Sequence, residues 1–259
     1  LRVLEEYSKL ESYTKSNIFE SARYQLYTLE KNMHSKAINL FKSNRLNKCK
    51  LYLVTDRSQF TDLDSFYDAV ASAISGGVDI LQLREKHATA KEFTEIARTL
   101  QHICSINDTI FIINDRIDIA QAVKADGVHL GQEDIDIKTA RSILGDEAII
   151  GSSTHKPEDA IKAMNNGADY AGVGPVFTTP TKPGRQAVGL EYVKWATENF
   201  TIPFFAIGGI DTTNIQEVID TGASRIAVVR AIINNPAPKT IAKEMKNKLE
   251  NINCCESKV

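Results

Sequence analysis

The stretch Gly77-Val-Asp-Ile-Leu-Gln-Leu-Arg-Glu-Lys86 combines a glycine turn, a short apolar strand and a basic strand end. Side chains alternate between the two faces of a β-strand, so Gln82 and Arg84 share one face. A guanidinium on the inner face of a strand usually pairs with an anion, because burying an isolated charge is costly. With Lys86 two residues further on, the pattern predicts a phosphate or diphosphate site at the carboxyl end of this strand. The alternative interpretation is an Arg and a Lys held in salt bridges.

The same order of turn, strand and helix recurs in residues 49–259. Glycine turns also precede other predicted strands, at Gly167-Ala-Asp169 and Gly222-Ala-Ser224, and glycine fits the C-cap of the preceding helix. Eight βα units indicate an α/β protein with a closed (β/α)8 TIM barrel, because an open doubly wound sheet usually stops at about six strands. The predicted strands are 51–55, 80–84, 110–114, 127–130, 148–152, 170–173, 204–207 and 225–229.

Residues 1–48 differ from the rest because they contain neither Gly nor Pro and their apolar residues recur at helical spacing. We interpret them as an α-helical N-terminal extension of two or three helices, with a break near residues 12–17. Residues 49–259 form the predicted catalytic barrel domain, and the polar stretch 42–48 is the predicted linker. The sequence begins at Leu1 without an initiator Met, which is consistent with a truncated extension.

Composition argues against several classes of protein. With 42% apolar and 25% charged residues and a formal net charge of −2, the chain lacks the basic surface that nucleic-acid binding requires. The sequence contains no run of about 18 apolar residues, so it predicts no membrane-spanning helix. Its first residues lack the basic and then apolar order of a signal peptide. The four cysteines lack metal-ligand spacing and are expected to be reduced thiols of a cytoplasmic protein. The expected partners are small molecules, and oligomerisation is left open.

In a (β/α)8 barrel the loops after the strands form the active site. Asp115 follows the third predicted strand and Asp134 follows the fourth, so both carboxylates belong to one mouth of the barrel. Carboxylates beside a diphosphate form a usual Mg²⁺ site, which phosphate oxygens and water complete. The alternative makes both aspartates helix caps, although Asp136 is a better cap than Asp134 for the helix that follows. Together with Arg84 and Lys86, the pair favours a magnesium site.

Polar residues also follow the other strands. His129 shares the interior with Gln82 and Asn114, which favours a pocket for a heteroaromatic substrate over a core histidine with satisfied hydrogen bonds. Residues 151–155 present hydroxyls near a helix start, where they either bind an anion or cap that helix. The Thr-rich loop 174–185 has the composition of a lid over a charged substrate, with a plain surface loop as the alternative.

Glycines mark the last two loops of the predicted mouth. Gly208-Gly209 follows the seventh strand and Val229-Arg230 follows the eighth, and in barrels these two loops often bind phosphate through backbone amides. The sequence thus predicts two anion sites, one with a metal, at one mouth. This arrangement suits a reaction that joins two phosphorylated small molecules and releases diphosphate. The motifs contain no compelling pair of nucleophile and base.

Six motifs stand in order between about Leu51 and about Leu249: Gln82-Leu-Arg-Glu-Lys86, Asn114-Asp-Arg116, Asp126-Gly-Val-His-Leu-Gly-Gln-Glu-Asp134, Gly174-Pro-Val-Phe177, Thr179-Pro-Thr-Lys182 and Ile207-Gly-Gly-Ile210. They resemble the motifs of the thiamine phosphate synthase family. The resemblance implies a barrel transferase of thiamine biosynthesis. Such an enzyme joins hydroxymethylpyrimidine diphosphate to hydroxyethylthiazole phosphate, and diphosphate departs before the thiazole nitrogen attacks. Residues 1–48 are similar to the helical extension of cyanobacterial-type members.

The resemblance also implies a role for each matching residue. It assigns Mg²⁺ to Asp115 and Asp134, and the pyrimidine pocket to Gln82 and His129. The residues implied to bind the diphosphate are Arg84, Lys86, Asn114, Ser153 and Lys182, of which Arg84, Lys86, Ser153 and Lys182 are the expected catalytic residues. The residues implied to receive the thiazole phosphate are Thr179, Thr181, Gly209 and the backbone around Val229 and Arg230. Many members carry Ser where this chain has Arg230, so a backbone contact would survive there but a hydroxyl contact would not.

Two other functions are open at this point. A thiazole tautomerase of the same barrel family would need a histidine as acid or base and no metal–diphosphate site. A phosphate-binding barrel without activity would keep Gly208 and Gly209 but would tolerate loss of the aspartates. The intact stretches around Asp134 and Lys182 favour the synthase, in which cations neutralise the charge that builds on the leaving diphosphate.

Overall fold

Eight parallel strands form a closed barrel, in which each strand pairs with its neighbours in the chain and the eighth pairs with the first. This computed structural model describes residues 1–9, 13–179 and 186–251. The predicted fold class is confirmed. The strands are β1 Leu51–Val54, β2 Ile80–Leu83, β3 Ile110–Asn114, β4 Gly127–Leu130, β5 Ile149–Thr154, β6 Tyr170–Val173, β7 Phe204–Ile207 and β8 Ile226–Val228.

The strands are short apolar runs because helices cover their outer face and side chains fill the barrel inside. β3, β4, β6 and β7 have the predicted bounds. β5 extends two residues beyond its predicted end, so Ser153 and Thr154 belong to the strand rather than to the loop. They pair in register with Gly172 and Val173 of β6, and the Thr154 hydroxyl donates to the Gly172 carbonyl at 3.0 Å.

Helices alternate with the strands and pack their apolar faces on the barrel. The helix from Ala90 to Ile106 shows the pattern: Phe93, Ile96 and Leu100 are buried at helical spacing. A capping box starts it, in which Thr89 and Glu92 bond each other's backbone amides. The helices that follow the extension are α3 Leu63–Ser75, α4 Ala90–Ile106, α5 Ile117–Val123, α6 Ile137–Leu144, α7 Pro157–Asn165, α8 Gly189–Asn199, α9 Ile215–Asp220, α10 Arg230–Ile233 and α11 Pro238–Glu250.

The extension contains helices α1 (Arg2–Ser8) and α2 (Tyr13–Lys48). Residues 1–42 form a compact unit of their own, in which the Arg23 guanidinium bonds the Glu5 carboxylate at 2.7 Å. The stretch 42–48, predicted to be a linker, is instead the end of α2. It stays helical because Leu46, only 1% exposed, packs in the core of the unit that begins at Ser43. No helix in the described ranges is long and apolar enough to cross a membrane.

Three aspartates stand at the amino-terminal end of the barrel, at the starts of β2, β4 and β6. We call Asp79, Asp126 and Asp169 the aspartate rim. Each stands directly before its strand, accepts a backbone N–H at the start of the preceding strand, and pairs with a cation. The donors are Lys50 N at 2.7 Å and Leu51 N at 2.9 Å for Asp79, Phe111 N at 2.9 Å for Asp126, and Ile150 N at 2.8 Å for Asp169. The paired cations are Lys246, Arg45 and Arg141 respectively.

Candidate active site

A cavity of about 370 Å³ opens at the carboxyl ends of the strands, opposite the aspartate rim. It has the size of a small-molecule site and combines aromatic walls with a few polar groups. Thr181 and Lys182 lie outside the described residues. The predicted site residues that line the cavity are Gln82, Arg84, Asn114, His129, Ser153, Thr179, Gly209, Val229 and Arg230.

Arg84 stands just beyond the end of β2, and its side chain lines the cavity as the strand parity predicted. Its backbone N–H donates to the Thr55 hydroxyl at 3.0 Å, which fixes the chain where the strand ends. In the described ranges no carboxylate pairs with the Arg84 guanidinium, and the neighbouring Glu85 pairs with Arg57 at 3.2 Å. The guanidinium is thus available to an anion in the cavity.

Lys86 and the two aspartates stand together at one edge of the mouth. Lys86 Nζ lies 3.0 Å from Asp115 Oδ2, so the salt-bridge interpretation holds for Lys86 although not for Arg84. Asp115 has a left-handed backbone with φ of 61°, and its amide donates to the His129 carbonyl at 2.9 Å. The adjacent residue in the chain, Asn114, reaches the cavity itself.

Neither aspartate caps a helix. α5 begins without a side-chain cap, and Asp134 Oδ2 instead accepts the Gly131 amide at 2.7 Å within its own loop. Asp136 caps α6 by accepting the Thr139 amide at 3.0 Å, as the sequence suggested. The capping alternative is therefore wrong for Asp115 and Asp134, because neither carboxylate bonds the start of a helix.

The carboxyl groups of Asp115 and Asp134 interact directly. Burial raises the pKa of Asp134, and the neighbouring Asp115 carboxylate raises it further against the effect of the Gly131 amide. Burial also opposes ionisation of Asp115, but hydrogen bonds from Lys86 and Asp134 outweigh it, so the pKa of Asp115 lies below its ordinary value. Two carboxylates this close repel each other when both are ionised, and a divalent cation between them removes that repulsion.

This donor set fits Mg²⁺, which binds through one or two protein carboxylates and completes its shell with water and substrate phosphate. Within the described part of the chain, no group of three or more His, Cys, Asp or Glu residues forms a metal cage. Asp115 and Asp134 would therefore hold the ion together with oxygens from outside the protein.

Aromatic residues that the sequence analysis did not single out form the floor of the cavity. Tyr52, Tyr170 and Phe205 line it from β1, β6 and β7. One signal was present in the sequence: Gly151 lies inside a strand, where glycine often marks a close approach. A Cβ atom at Gly151 would stand only 2.1 Å from Cζ of Tyr170, so the ring occupies the place that the glycine leaves open.

The loops after β6 and β7 form the opposite wall. Gly208 and Gly209 have positive φ angles of 105° and 69°, which L side chains rarely adopt. A Cβ atom at Gly209 would meet the carbonyl of Thr178 at 2.9 Å. Phe177 donates its amide to the Gly208 carbonyl at 2.9 Å and thereby ties the two loops together. Backbone is thus exposed to the cavity where a phosphate was predicted.

The sequence model of the thiamine monophosphate synthase family matches residues 51–232. The chain belongs to this family. It is 45% identical to the thiamine-phosphate synthase of Nostoc punctiforme over 254 residues, which are 97% of this chain and 69% of the relative. It is 43% identical to the thiamine-phosphate synthase of Synechocystis over 254 residues, 98% of this chain and 71% of the relative.

A solved structure of the family covers the barrel. The thiamine phosphate pyrophosphorylase from Pyrococcus furiosus superposes with a TM-score of 0.73 at 38% identity, over 80% of this chain and 98% of its own. The Nostoc and Synechocystis relatives, by contrast, match nearly the whole chain, the N-terminal extension included. The predicted likeness to cyanobacterial-type members is confirmed.

Proposed function

We propose that the mouth of the barrel binds 4-amino-2-methyl-5-hydroxymethylpyrimidine diphosphate and 4-methyl-5-hydroxyethylthiazole phosphate and joins them into thiamine phosphate. The chain is a transferase of thiamine biosynthesis that links a pyrimidine to a thiazole. The observation that carries the assignment of the site is the cavity itself. Arg84 and Asn114 line one side of it, next in the chain to the Lys86–Asp115 ion pair, and Gly208 and Gly209 line another part of its wall.

The diphosphate is the charged end of the first substrate, and we assign it to Arg84, Asn114 and Ser153, which line the cavity, together with Lys86. Lys182 is the further cation that the resemblance assigns to this end. Asp115 and Asp134 would hold Mg²⁺, which would neutralise negative charge on the leaving diphosphate. Lys86, whose ammonium pairs with Asp115 at 3.0 Å, would add positive charge on the same side of the site.

The pyrimidine ring occupies the aromatic floor beside Gln82 and His129. Gln82 is 4% exposed and offers a carboxamide edge that can pair with the amino group and ring nitrogen of the pyrimidine. Tyr52 and Tyr170 provide apolar ring surface around it. In this proposal the aromatic end of the substrate lies deep in the barrel and its charged end lies at the mouth.

Bond cleavage precedes bond formation in the proposed reaction. The C–O bond between the pyrimidine methylene and the diphosphate breaks, and its electron pair leaves with the diphosphate. The thiazole nitrogen then donates its lone pair to the methylene cation and forms the new C–N bond. Positive charge from Arg84 and Lys86 lowers the barrier, because it acts on charge that grows as the bond breaks.

The second substrate is held by its phosphate at the loops after β6, β7 and β8. The backbone around Gly209 and Val229, and Thr179 with Thr181, are the proposed phosphate contacts. Arg230 replaces the serine of many members at the start of α10, so we assign the contact there to backbone. The loop 174–185 excludes water from the cation, which would otherwise be hydrolysed.

We place this reaction in the cytoplasm. Cys49 and Cys104 are free and buried, and burial raises the pKa of the Cys49 thiol to about 12, so it stays protonated. Free buried thiols are typical of proteins from reducing compartments. The partners are the two small-molecule substrates and Mg²⁺.

The direct test mixes both phosphorylated substrates with the protein and Mg²⁺ and measures thiamine phosphate. Asp134→Ala should lower kcat roughly 100-fold, since a metal ligand contributes several kcal/mol of charge stabilisation. Asp136→Ala is the matched control: it removes a helix cap two residues away and should cost only about 1 kcal/mol of stability. Near-wild-type turnover of Asp134→Ala at limiting Mg²⁺ would contradict the metal assignment, and a wild-type protein that yields no product would contradict the function.

A further inference from the structure

A continuous chain of hydrogen bonds crosses the interior of the barrel, and we call its five residues the polar network. Gln82 Nε2 donates to the Tyr52 hydroxyl at 2.7 Å. The hydroxyl oxygens of Tyr52 and Tyr170 are 2.8 Å apart, and Tyr170 Oη lies 3.0 Å from His129 Nδ1. The other ring nitrogen, His129 Nε2, lies 2.9 Å from Ser153 Oγ. The five residues belong to β2, β1, β6, β4 and β5 in this order, so the polar network links the side chains of five strands across the barrel interior.

Packing holds the two tyrosine rings of the network in place. Tyr52 is 2% exposed and Tyr170 is fully buried. Phe205 meets both edge-on, with centroids 5.2 Å and 5.7 Å away and interplanar angles of 88° and 89°. Burial raises the pKa of both hydroxyls. Both hydroxyls therefore stay protonated. Each one affects its neighbours through the direction in which its O–H group donates.

Proton bookkeeping allows the polar network one consistent direction for a given Gln82 orientation. A hydroxyl has one proton and a neutral imidazole has one N–H. When Gln82 donates to Tyr52, the Tyr52 proton goes to Tyr170 and the Tyr170 proton goes to His129 Nδ1. His129 then carries its own proton on Nε2 and donates it to Ser153. Reversing a single link would leave a buried donor or acceptor without its partner, which is unfavourable.

The two directions of the polar network present different groups to the cavity. In the direction just described, the Gln82 Oε1 atom is left to accept, and the Ser153 hydroxyl proton is left to donate. In the opposite direction, the Gln82 carboxamide presents N–H donors to the cavity, and the Ser153 hydroxyl donates its proton to His129 Nε2. An anion beside Ser153 favours the first direction, and so does an amino group beside Gln82. Both end residues line the cavity.

We propose that Tyr52 and Tyr170 are positioning residues that couple recognition of the aminopyrimidine at Gln82 to hydrogen bonding of the diphosphate at Ser153. The inference rests on the proposed function, which assigns the two ends. The tyrosines act through their neighbours: a substrate amino group that fixes the Gln82 carboxamide also fixes the His129 tautomer and turns the Ser153 proton toward the diphosphate. Binding at the ring end therefore prepares the site at the charged end.

The test interrupts the polar network at its centre with Tyr170→Phe. Tyr192→Phe is the matched control, because Tyr192 is also a buried tyrosine, and its hydroxyl bonds the Thr154 hydroxyl and the Lys156 carbonyl, each at 2.9 Å, outside the network. The first measurement is the ¹⁵N NMR spectrum of His129 in protein saturated with the aminopyrimidine diphosphate, without the thiazole phosphate. With this substrate bound we expect the Nε2–H tautomer in the wild type and in Tyr192→Phe, and a mixture of tautomers in Tyr170→Phe.

The second measurement compares kcat/KM for the aminopyrimidine diphosphate with kcat/KM for an analogue that lacks the amino group. The ratio of the two is the discrimination. Ser153→Ala should lower the discrimination about 10-fold in the wild-type background, as expected for residues coupled through one hydrogen-bond network. In the Tyr170→Phe background the same substitution should leave the discrimination unchanged, and in Tyr192→Phe it should act as in the wild type.

Two results would overturn the coupling: a wild-type His129 that carries its proton on Nδ1, or a Ser153→Ala effect that is the same with and without the Tyr170 hydroxyl. The proposed function fails separately, if the wild type shows the expected tautomer but forms no thiamine phosphate. Circular dichroism establishes that each variant is folded. If Tyr170→Phe does not fold, Tyr52→Phe interrupts the polar network at the neighbouring hydroxyl. The same two measurements, with the same expected results, then apply to Tyr52→Phe.

Discussion

Gly151 has no Cβ atom, and the Tyr170 ring fills the space that a side chain would occupy there. A methyl group there would stand 2.1 Å from Cζ and 2.5 Å from the hydroxyl oxygen of that ring. We expect Gly151→Ala to lower the free energy of unfolding by about 3 kcal/mol, the upper end for overpacked cores, and to lower activity by displacing Tyr170. Urea denaturation measures the first effect and product formation the second.

Gly172→Ala is the matched control for this substitution. Gly172 is the inward glycine on the neighbouring strand β6, but its nearest neighbour for a Cβ atom is His129 Cε1 at 3.4 Å, an ordinary contact. It should cost less than about 1.5 kcal/mol. Equal losses for the two variants would show that the Tyr170 ring moves aside readily and that Gly151 is not needed for its position.

Arg84 is the residue on which the diphosphate site depends most. Arg84→Met keeps an unbranched, although shorter, side chain and removes its charge, so we expect kcat to fall about 100- to 1000-fold, as when one stabilising donor is lost at a reacting centre. The melting temperature should change little, because in the described ranges no carboxylate pairs with the guanidinium. A variant that unfolds would instead indicate a structural role for Arg84.

The residues of the mouth could be predicted from the sequence because barrel topology brings the loops after successive strands together. Asp115 and Asp134 stand 19 positions apart and yet interact. Tyr52 and Tyr170 could not be predicted in the same way. Their hydroxyls meet at 2.8 Å across the barrel, and that contact depends on the register of five strands and on the space left by Gly151, neither of which a single strand reveals.

Among the elements, the even strands β2, β4 and β6 share one device, the aspartate rim. Asp126 shows its two functions: one carboxylate oxygen accepts the Phe111 amide at 2.9 Å, and the other bonds the Arg45 guanidinium at 2.7 Å. Asp126→Asn should lower the free energy of unfolding by about 2 kcal/mol, since hydrogen bonds to charged groups contribute about 1.5–3 kcal/mol each. Thermal unfolding measures this, and kcat of the folded protein should be unchanged.

Asp118→Asn is the control for the rim substitution. Asp118 pairs with Arg116 at 2.5 Å, but its side chain is 64% exposed. An exposed ion pair typically contributes less than about 1 kcal/mol. If Asp126→Asn were no more destabilising than Asp118→Asn, the rim would not be a stabilising device.

The sequence predicted the strands better than the end of α2. Short apolar runs between turns identify buried strands regardless of their neighbours, and the bounds of β3, β4, β6 and β7 matched. The polar composition of residues 42–48 suggested a linker, yet tertiary contacts decide the outcome. Leu46 is buried and Arg45 pairs with Asp126, so this stretch continues the helix.

For the whole molecule, this helix end defines where the barrel unit begins. A truncated protein that starts at Ser43 should keep kcat and melting temperature, because residues 1–42 contain none of the proposed site residues. A truncation that starts at Cys49 also removes Leu46 and Arg45, and should lose about 3–5 kcal/mol of stability, as for other buried leucines and paired charges. Steady-state kinetics and thermal unfolding of both proteins are the measurements. Loss of activity in a folded protein that starts at Ser43 would show that the N-terminal unit takes part in the chemistry.

The aspartate rim and the substrate cavity lie at opposite ends of the barrel. A mutant library confined to the loops that follow the strands would leave all three carboxylates and their donors untouched. Variants selected for new substrates should therefore stay folded at high frequency, and this chain would serve as a starting scaffold for directed evolution.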